Sequence, residues 1–228
     1  MRDEEKSDPF HPSALRPHPF FAAILLAAGR SRRMGAFKPL LPFGDQTVIE
    51  SCVGNLREGG VEWVVVVVGY RGDEIRERLA HLPVLFAVNP DPKSEMSASI
   101  ARGMGRVPSG AEAVFVALGD QPAVSPEVIR LLIDQRKKTG ARLLVPEYEG
   151  RGGHPVLLDR SFRHQLLNLD PQGGLRALLD EHRDEVLRVA VAAPYVARDM
   201  DTWEDYLALH EEVFGSQPPG TKEAPPRS

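Results

Sequence analysis

Between residues 20 and 191 the chain alternates short, wholly apolar runs with stretches whose apolar residues recur at helical spacing. The runs are FAAILLA (21–27), WVVVVVG (63–69), VLFAV (84–88), AVFVALG (113–119), RLLVP (142–146) and VLRVAV (186–191). A strand with one face in water alternates apolar and polar side chains, so five consecutive valines, Val64 to Val68, predict a strand covered on both faces. Helical stretches lie between most of the runs, the first over 46–58. Strand alternating with helix predicts an α/β fold with three α/β/α layers and a Rossmann-like, mostly parallel sheet. Ligands of such sheets sit beyond the carboxyl ends of the strands, so chemistry is expected in the loops that follow the runs.

Both ends of the chain lack this pattern. Residues 1–19 hold Pro9, Pro12, Pro17 and Pro19 among charged and polar side chains, and 214–228 are similar. Neither stretch carries enough apolar surface to offset the entropy of ordering, which predicts a disordered leader, one domain over 20–213 and a disordered tail. The segment FFAAILLAA (20–28) has the length of a signal-peptide core, but an acidic, proline-rich stretch precedes it where basic residues belong. No run approaches the roughly 20 apolar residues of a membrane span. A net charge of -4 argues against nucleic acid or an anionic membrane as partner, because both leave a basic imprint. The one cysteine, Cys52, rules out an intrachain disulfide and a cysteine metal cluster, and a cytoplasmic location is expected. Cys52 sits in the helical stretch and reads as a buried, inert thiol.

Chemistry enters with the loop over 27–38, AAGRSRRMGAFK, directly after the first buried run. Gly29 and Gly35 let backbone N–H groups approach an anion, and the arginines and Lys38 add full charge: a phosphate cradle by composition. It is neither a dinucleotide fingerprint, which needs G-x-G-x-x-G, nor a P-loop, which needs G-K-[ST] where this chain has Gly35, Ala36 and Phe37. The fourth run ends in GDQP, placing Asp120 at the same edge of the sheet. An acid beside a triphosphate requires a cation, and Mg2+ held by one or two carboxylates plus phosphate oxygens meets that need. Read alone, Asp120 is as readily a turn or cap residue.

The stretch LAAGRSRRMGAFKPLLPFG (26–44) resembles the LAAGxSxRMGxxKxLLPxxG signature of the molybdenum cofactor cytidylyltransferase and guanylyltransferase family. The likeness covers roughly 24–207. It implies a nucleotidyltransferase fold of the GT-A-like type and an Mg2+-dependent enzyme that moves a nucleoside monophosphate from a nucleoside triphosphate onto a phosphorylated acceptor, releasing pyrophosphate. It places Arg33 and Lys38 on the phosphates, with Leu26, Ala27, Ala28, Gly29 and Gly35 around the nucleotide, while Arg30 and Arg32 fall at variable positions. GDQP resembles the family's metal-binding GDxP element, and RDMDTWEDY (198–206) resembles DIDTPEDY, which implies Asp201 as second metal ligand beside Asp120, with Asp199 a weaker candidate. Trp203 stands where the family has proline; Thr202 and Asp205 read as a helix cap.

NPDPKSEMSASIARGM (89–104) is similar to the element that contacts the base, with Glu95 where glycine is usual. Ser97 and Ser99 either hydrogen-bond base or ribose or cap a helix. RGGHPVLL (151–158) resembles the GHPV segment of the cytidylyltransferase branch, which favours CTP over GTP; His154 reads either as an acceptor contact or, preceding a proline in a turn, as a structural residue. DPQGGLRALL (170–179) adds Arg176 on the acceptor side. The implied acceptor is molybdopterin, the implied protein partner a molybdoenzyme or an accessory protein, and the catalytic set Arg33, Lys38 and Asp120. Alternatives are a sugar phosphate or phospho-alcohol as acceptor, or a non-catalytic nucleotide-binding protein that delivers a cofactor. The remaining histidines show no metal-binding spacing.

Overall fold

A computed structural model describes residues 19–31, 33–91 and 94–218. The leader through residue 18, Arg32, and the tail from 219 onward lie outside the described residues. In chain order the elements are β1 (Phe20–Ala27), β2 (Pro42–Phe43), β3 (Gln46–Thr47), α1 (Val48–Glu58), β4 (Trp63–Val68), α2 (Gly72–Arg78), β5 (Leu85–Val88), α3 (Met96–Met104), β6 (Ala111–Leu118), α4 (Pro126–Thr139), β7 (Leu143–Tyr148), β8 (Arg151–Gly152), β9 (Val156–Asp159), α5 (Arg163–Leu167), α6 (Gly174–Glu181), β10 (Val186–Ala190) and α7 (Trp203–Phe214). The main sheet runs β10-β7-β9-β6-β1-β4-β5, with β8 paired to β7.

The valine run behaves as its composition demands. Val64, Val66 and Val68 enter the core on one face of the sheet, Val65 and Val67 the core on the other, and all five are buried. Each such burial stabilises by about 1.5–3 kcal/mol, which is why the centre of the sheet is its most apolar part. One core takes in Ile49 of α1, Ile75 of α2, Ile129 of α4 and Tyr206 of α7. The opposite core takes in Ile100 of α3, Leu166 of α5 and Leu178 of α6. This is the expected three-layer α/β/α arrangement. Strand β1 lies between β4 and β6 and is parallel to both. The chain thus winds outward from β1 in two directions, and the carboxyl ends of β1 and β6 flank a crevice at the switch point.

Three local features depart from the pattern reading. Gln46 and Thr47 pair with β2 as a small antiparallel hairpin. Helix α1 therefore starts at Val48, where Thr47 and Glu50 form a capping box: the Thr47 backbone N–H and hydroxyl both donate to Glu50 Oε2, at 2.8 and 2.7 Å. Strand β9 inserts antiparallel between β6 and β7 and makes the sheet mixed at that point. Its four residues, VLLD, are too few to stand out as a run. Helix α7 takes in Phe214, the first residue of the expected tail, whose ring packs edge-on against Phe43 at 4.8 Å between centroids. Two residues further, the Ser216 carbonyl bonds His210 Nδ1 at 2.6 Å.

Candidate active site

The loop after β1 folds back on itself through Ser31, a left-handed residue with φ 52°. The Ser31 carbonyl accepts from the Met34 N–H at 3.1 Å, and its hydroxyl accepts from the Lys38 N–H at 3.2 Å. Buried Met34 and Phe37 anchor the returning half of the loop in the core. Arg30, at a variable position of the signature, lies over the Tyr70 ring at 5.4 Å and ties the loop to the turn after β4. Lys38 then opens a short 3-10 turn, Lys38–Leu40, with its side chain almost fully enclosed.

Two carboxylates meet the Lys38 ammonium. Lys38 Nζ donates to Asp120 Oδ2 at 3.1 Å and to Asp201 Oδ1 at 2.9 Å, while Arg33 Nη1 lies 3.0 Å from Asp201 Oδ2. Asp120 follows β6 in a turn held against β1, where the Gly119 N–H donates to the Leu26 carbonyl at 2.9 Å. Only glycine fits there, because a Cβ would stand 2.8 Å from that carbonyl oxygen. Asp201 is delivered by the start of α7. Thr202 and Asp205 form the expected capping box, and the Tyr206 hydroxyl donates to the Pro42 carbonyl at 2.7 Å. Trp203, in place of the family's proline, packs its buried ring on Tyr206 at 5.1 Å and leaves the helix start intact.

A cleft of about 440 Å³ opens above this cluster. Leu26, Ala27, Ala28, Gly29, Arg33, Lys38, Ser99, Asp120 and Asp201, all named from the sequence, line it together, and so does Asp199. Gly35 does not reach it; with φ 75° it serves the turn of the loop instead. Nor does Ser97, which faces a neighbouring hollow of about 890 Å³ lined also by His154 and Arg176. Arg176 stands there almost wholly in solvent.

Sequence reading missed Asn89. This residue is buried at the end of β5 and its amide donates to Ser94 Oγ and Ser99 Oγ, both at 2.8 Å, on the wall of the cleft. An asparagine before Pro90, closing a strand at the ligand edge, was the available signal. Cys52 is buried and its thiol is pushed far up by desolvation and by the nearby Asp120 charge, consistent with an inert group.

The donor set fits a magnesium ion. Asp120 and Asp201 present hard carboxylate oxygens to one point, where each already contacts the same ammonium. No group of three or more His, Cys, Asp or Glu with metal-holding arrangement occurs among the described residues, so a cation here would need substrate oxygens to complete its shell. That is the usual manner of Mg2+ beside phosphates.

His154 is fixed by its surroundings. Its Nδ1 lies 3.2 Å from the Val116 carbonyl, to which it donates, and burial holds its pKa below the ordinary 6.5. The neutral ring leaves Nε2 as a hydrogen-bond acceptor, which does not suit a phosphate dianion. Because the unfolded chain takes up a proton first on acidification, the stability contributed by neutral His154 is complete above pH 6.5 and erodes below it. Wild type should therefore lose more Tm between pH 7.5 and 5.5 than His154→Gln does. Parallel Tm–pH curves in scanning calorimetry would refute this.

Comparison with known proteins agrees with the geometry. Residues 23–186 match the family described as MobA-like NTP transferase domain. Molybdenum cofactor cytidylyltransferase of Escherichia coli K12 is 27% identical over 191 residues, 82% of this chain and 94% of that protein. Nicotine blue oxidoreductase of Paenarthrobacter nicotinovorans is 28% identical over 201 residues, 84% of this chain and 97% of the relative. The solved structure of Rv0371c from Mycobacterium tuberculosis H37Rv superposes with a TM-score of 0.75 at 30% identity, over 85% of this chain and 98% of the other. A second structure of that protein, TM-score 0.72 at 30% identity over 85% and 100% of the two chains, is described as a complex with manganese. Among the described residues no helix is long and apolar enough to cross a membrane. With the family matched across most of the folded chain and its signature residues gathered at one cleft, this protein belongs to the MobA-like NTP transferases and is a nucleotidyltransferase.

Proposed function

We propose that the protein transfers CMP from CTP to the phosphate of molybdopterin cofactor in the cytoplasm, releasing pyrophosphate, with Mg2+ held by Asp120 and Asp201. One observation carries the reading: Asp120, Asp201, Lys38 and Arg33, drawn from three distant parts of the chain, meet in one cleft at the carboxyl ends of β1 and β6. When bound, the cation would neutralise charge on the triphosphate and polarise the α-phosphate. Lys38 and Arg33 pair with the carboxylates here and would turn to the phosphate oxygens, stabilising the charge that develops there. Ala28 and Gly29 offer backbone to the nucleotide, and the Asn89–Ser99 pair gives the opposite wall a fixed polar surface. An acceptor phosphate oxygen attacks the α-phosphorus in line; the new P–O bond forms as the bond to pyrophosphate breaks. That oxygen is already ionised near neutral pH, so positioning and electrostatics carry the catalysis and no general base is needed.

CTP is favoured over GTP by the GHPV segment, while the relatives include both a cytidylyltransferase and a probable guanylyltransferase. An acceptor hollow about twice the size of the nucleotide cleft supports a large acceptor over a simple sugar phosphate or phospho-alcohol. A molybdoenzyme or accessory protein that receives the product is the partner this reading implies. The name of the Paenarthrobacter relative raises hydride transfer, but the first loop lacks the dinucleotide fingerprint and the paired carboxylates have no part in such chemistry.

The test is pyrophosphate release from each labelled nucleoside triphosphate with Mg2+ and a panel of acceptors. CTP with molybdopterin cofactor should give the highest kcat/KM. Tight nucleotide binding without pyrophosphate from any acceptor would instead support a delivery protein.

A further inference from the structure

Ser97 and Ser99 stand two positions apart on α3, about 200° around the helix, and cannot serve the same ligand surface. Ser99 turns toward Asn89 and the nucleotide cleft, while Ser97 turns toward the second hollow. Only 4% of Ser97 is exposed, yet its hydroxyl has no hydrogen-bond partner among the described residues. The same holds for the backbone N–H groups of Met96 and Ser97, which open this nine-residue helix. Glu95, at the N-cap position, makes no side-chain cap bond. The Ser97 hydroxyl is not among the fully enclosed side-chain atoms that lack a partner, so it opens onto the hollow, and free N–H groups at a helix start carry partial positive charge. Three donors without a protein partner among the described residues thus lie together at one place. Met96 lines both the cleft and the hollow, so this place borders the partition between them.

We infer that the first turn of α3, with the Ser97 hydroxyl, seats the phosphate monoester of the acceptor on the far side of the partition from the nucleotide. The assignment rests on the nucleotidyl-transfer reading above. It gives the two serines separate substrates: Ser99 shapes the nucleotide wall, Ser97 holds the acceptor. Three N–H and O–H donors suit a multivalent oxyanion. Position at the partition holds the nucleophilic oxygen beside the triphosphate rather than deep in the hollow. Glu95 lines the same hollow and opposes the anion, so it weakens the seat.

The experiment separates the two ligands. The protein is first saturated with the non-hydrolysable α,β-methylene analogue of CTP and Mg2+, then titrated with phenyl phosphate and followed by calorimetry. Wild type should bind phenyl phosphate in this nucleotide-loaded state. Ser97→Ala should weaken that binding roughly threefold to tenfold, and Ser97→Asp, which puts a negative charge at the seat, more than about tenfold. Glu95→Gln should strengthen it, and this opposite direction cannot come from a damaged fold. Affinity for the CTP analogue should stay within about twofold throughout. Unchanged phenyl phosphate binding in Ser97→Asp, or a loss of analogue binding in the Ser97 variants, would overturn the assignment. A wild-type protein that binds no nucleotide analogue would instead sink the reading on which it rests, and the assignment with it.

Discussion

Asp120→Asn should lower kcat about 10²- to 10³-fold and leave the protein folded, the size of effect found when one preorganised charge contact is removed. The substitution keeps shape and removes one charge. Asp120 is about a third exposed and pairs with Lys38, so the fold depends little on that charge. Tm should move by no more than about 2–4 °C, equivalent to about 1 kcal/mol for a chain of this size. Asp199 supplies the control, since it lines the same cleft without an ion pair among the described residues. Asp199→Asn should cost less than about tenfold in kcat. Steady-state pyrophosphate release measures both. Near-normal turnover in Asp120→Asn, or equal losses in the two variants, would remove Asp120 from its assigned role.

Lys38→Met carries the second large effect, and it reaches stability as well as rate. The ammonium is enclosed between two carboxylates at 3.1 and 2.9 Å. Without it Asp120 and Asp201 face each other with only Arg33, which is three-quarters exposed, to offset their repulsion. Breaking a fully buried pair costs about 3–5 kcal/mol, but both carboxylates are about a third open to water. The expected loss is about 1–2 kcal/mol, or a Tm roughly 2–8 °C lower. Turnover should fall at least about 10²-fold, because the same ammonium is assigned to the phosphates. Lys38→Arg should not restore it: the enclosed seat fits a compact ammonium, and a planar guanidinium is a different shape. A Lys38→Arg variant with wild-type kcat would show that only charge matters at this position.

Much of the architecture was legible along the chain because burial on two faces leaves an unambiguous mark. The valine run required cover on both sides, and helices supply it. The shorter elements were not legible. Strand β9 has four residues and an antiparallel direction fixed by its neighbours β6 and β7, which no local pattern encodes. The hairpin of β2 and β3 took two residues from the expected start of α1 for a similar reason: pairing with Pro42 and Phe43 outweighed helical propensity at Gln46 and Thr47. At the site, motif resemblance named charged residues that the fold brings to one cleft, but it carried no information on which way each side chain turns. Gly35 shapes the loop, Ser97 turns toward the neighbouring hollow, and Asn89 was passed over because its one mark, a place before Pro90 at a strand end, shows its worth only once its bonds to Ser94 and Ser99 are seen.

By itself, the amino-acid order determined the layered α/β class, the edge of the sheet where ligands bind and the residue types gathered in the loops there. These follow from periodicity and from the conformational limits of glycine and proline, which are local properties. Only the tertiary structure decided that Lys38 stands between Asp120 and Asp201, partners 82 and 163 positions away, and which of two neighbouring hollows each serine of α3 addresses. Such meetings depend on how the strands are ordered and how α7 docks on the hairpin through Tyr206 and Pro42. Packing across the whole sheet sets those relations, and no window of sequence contains them.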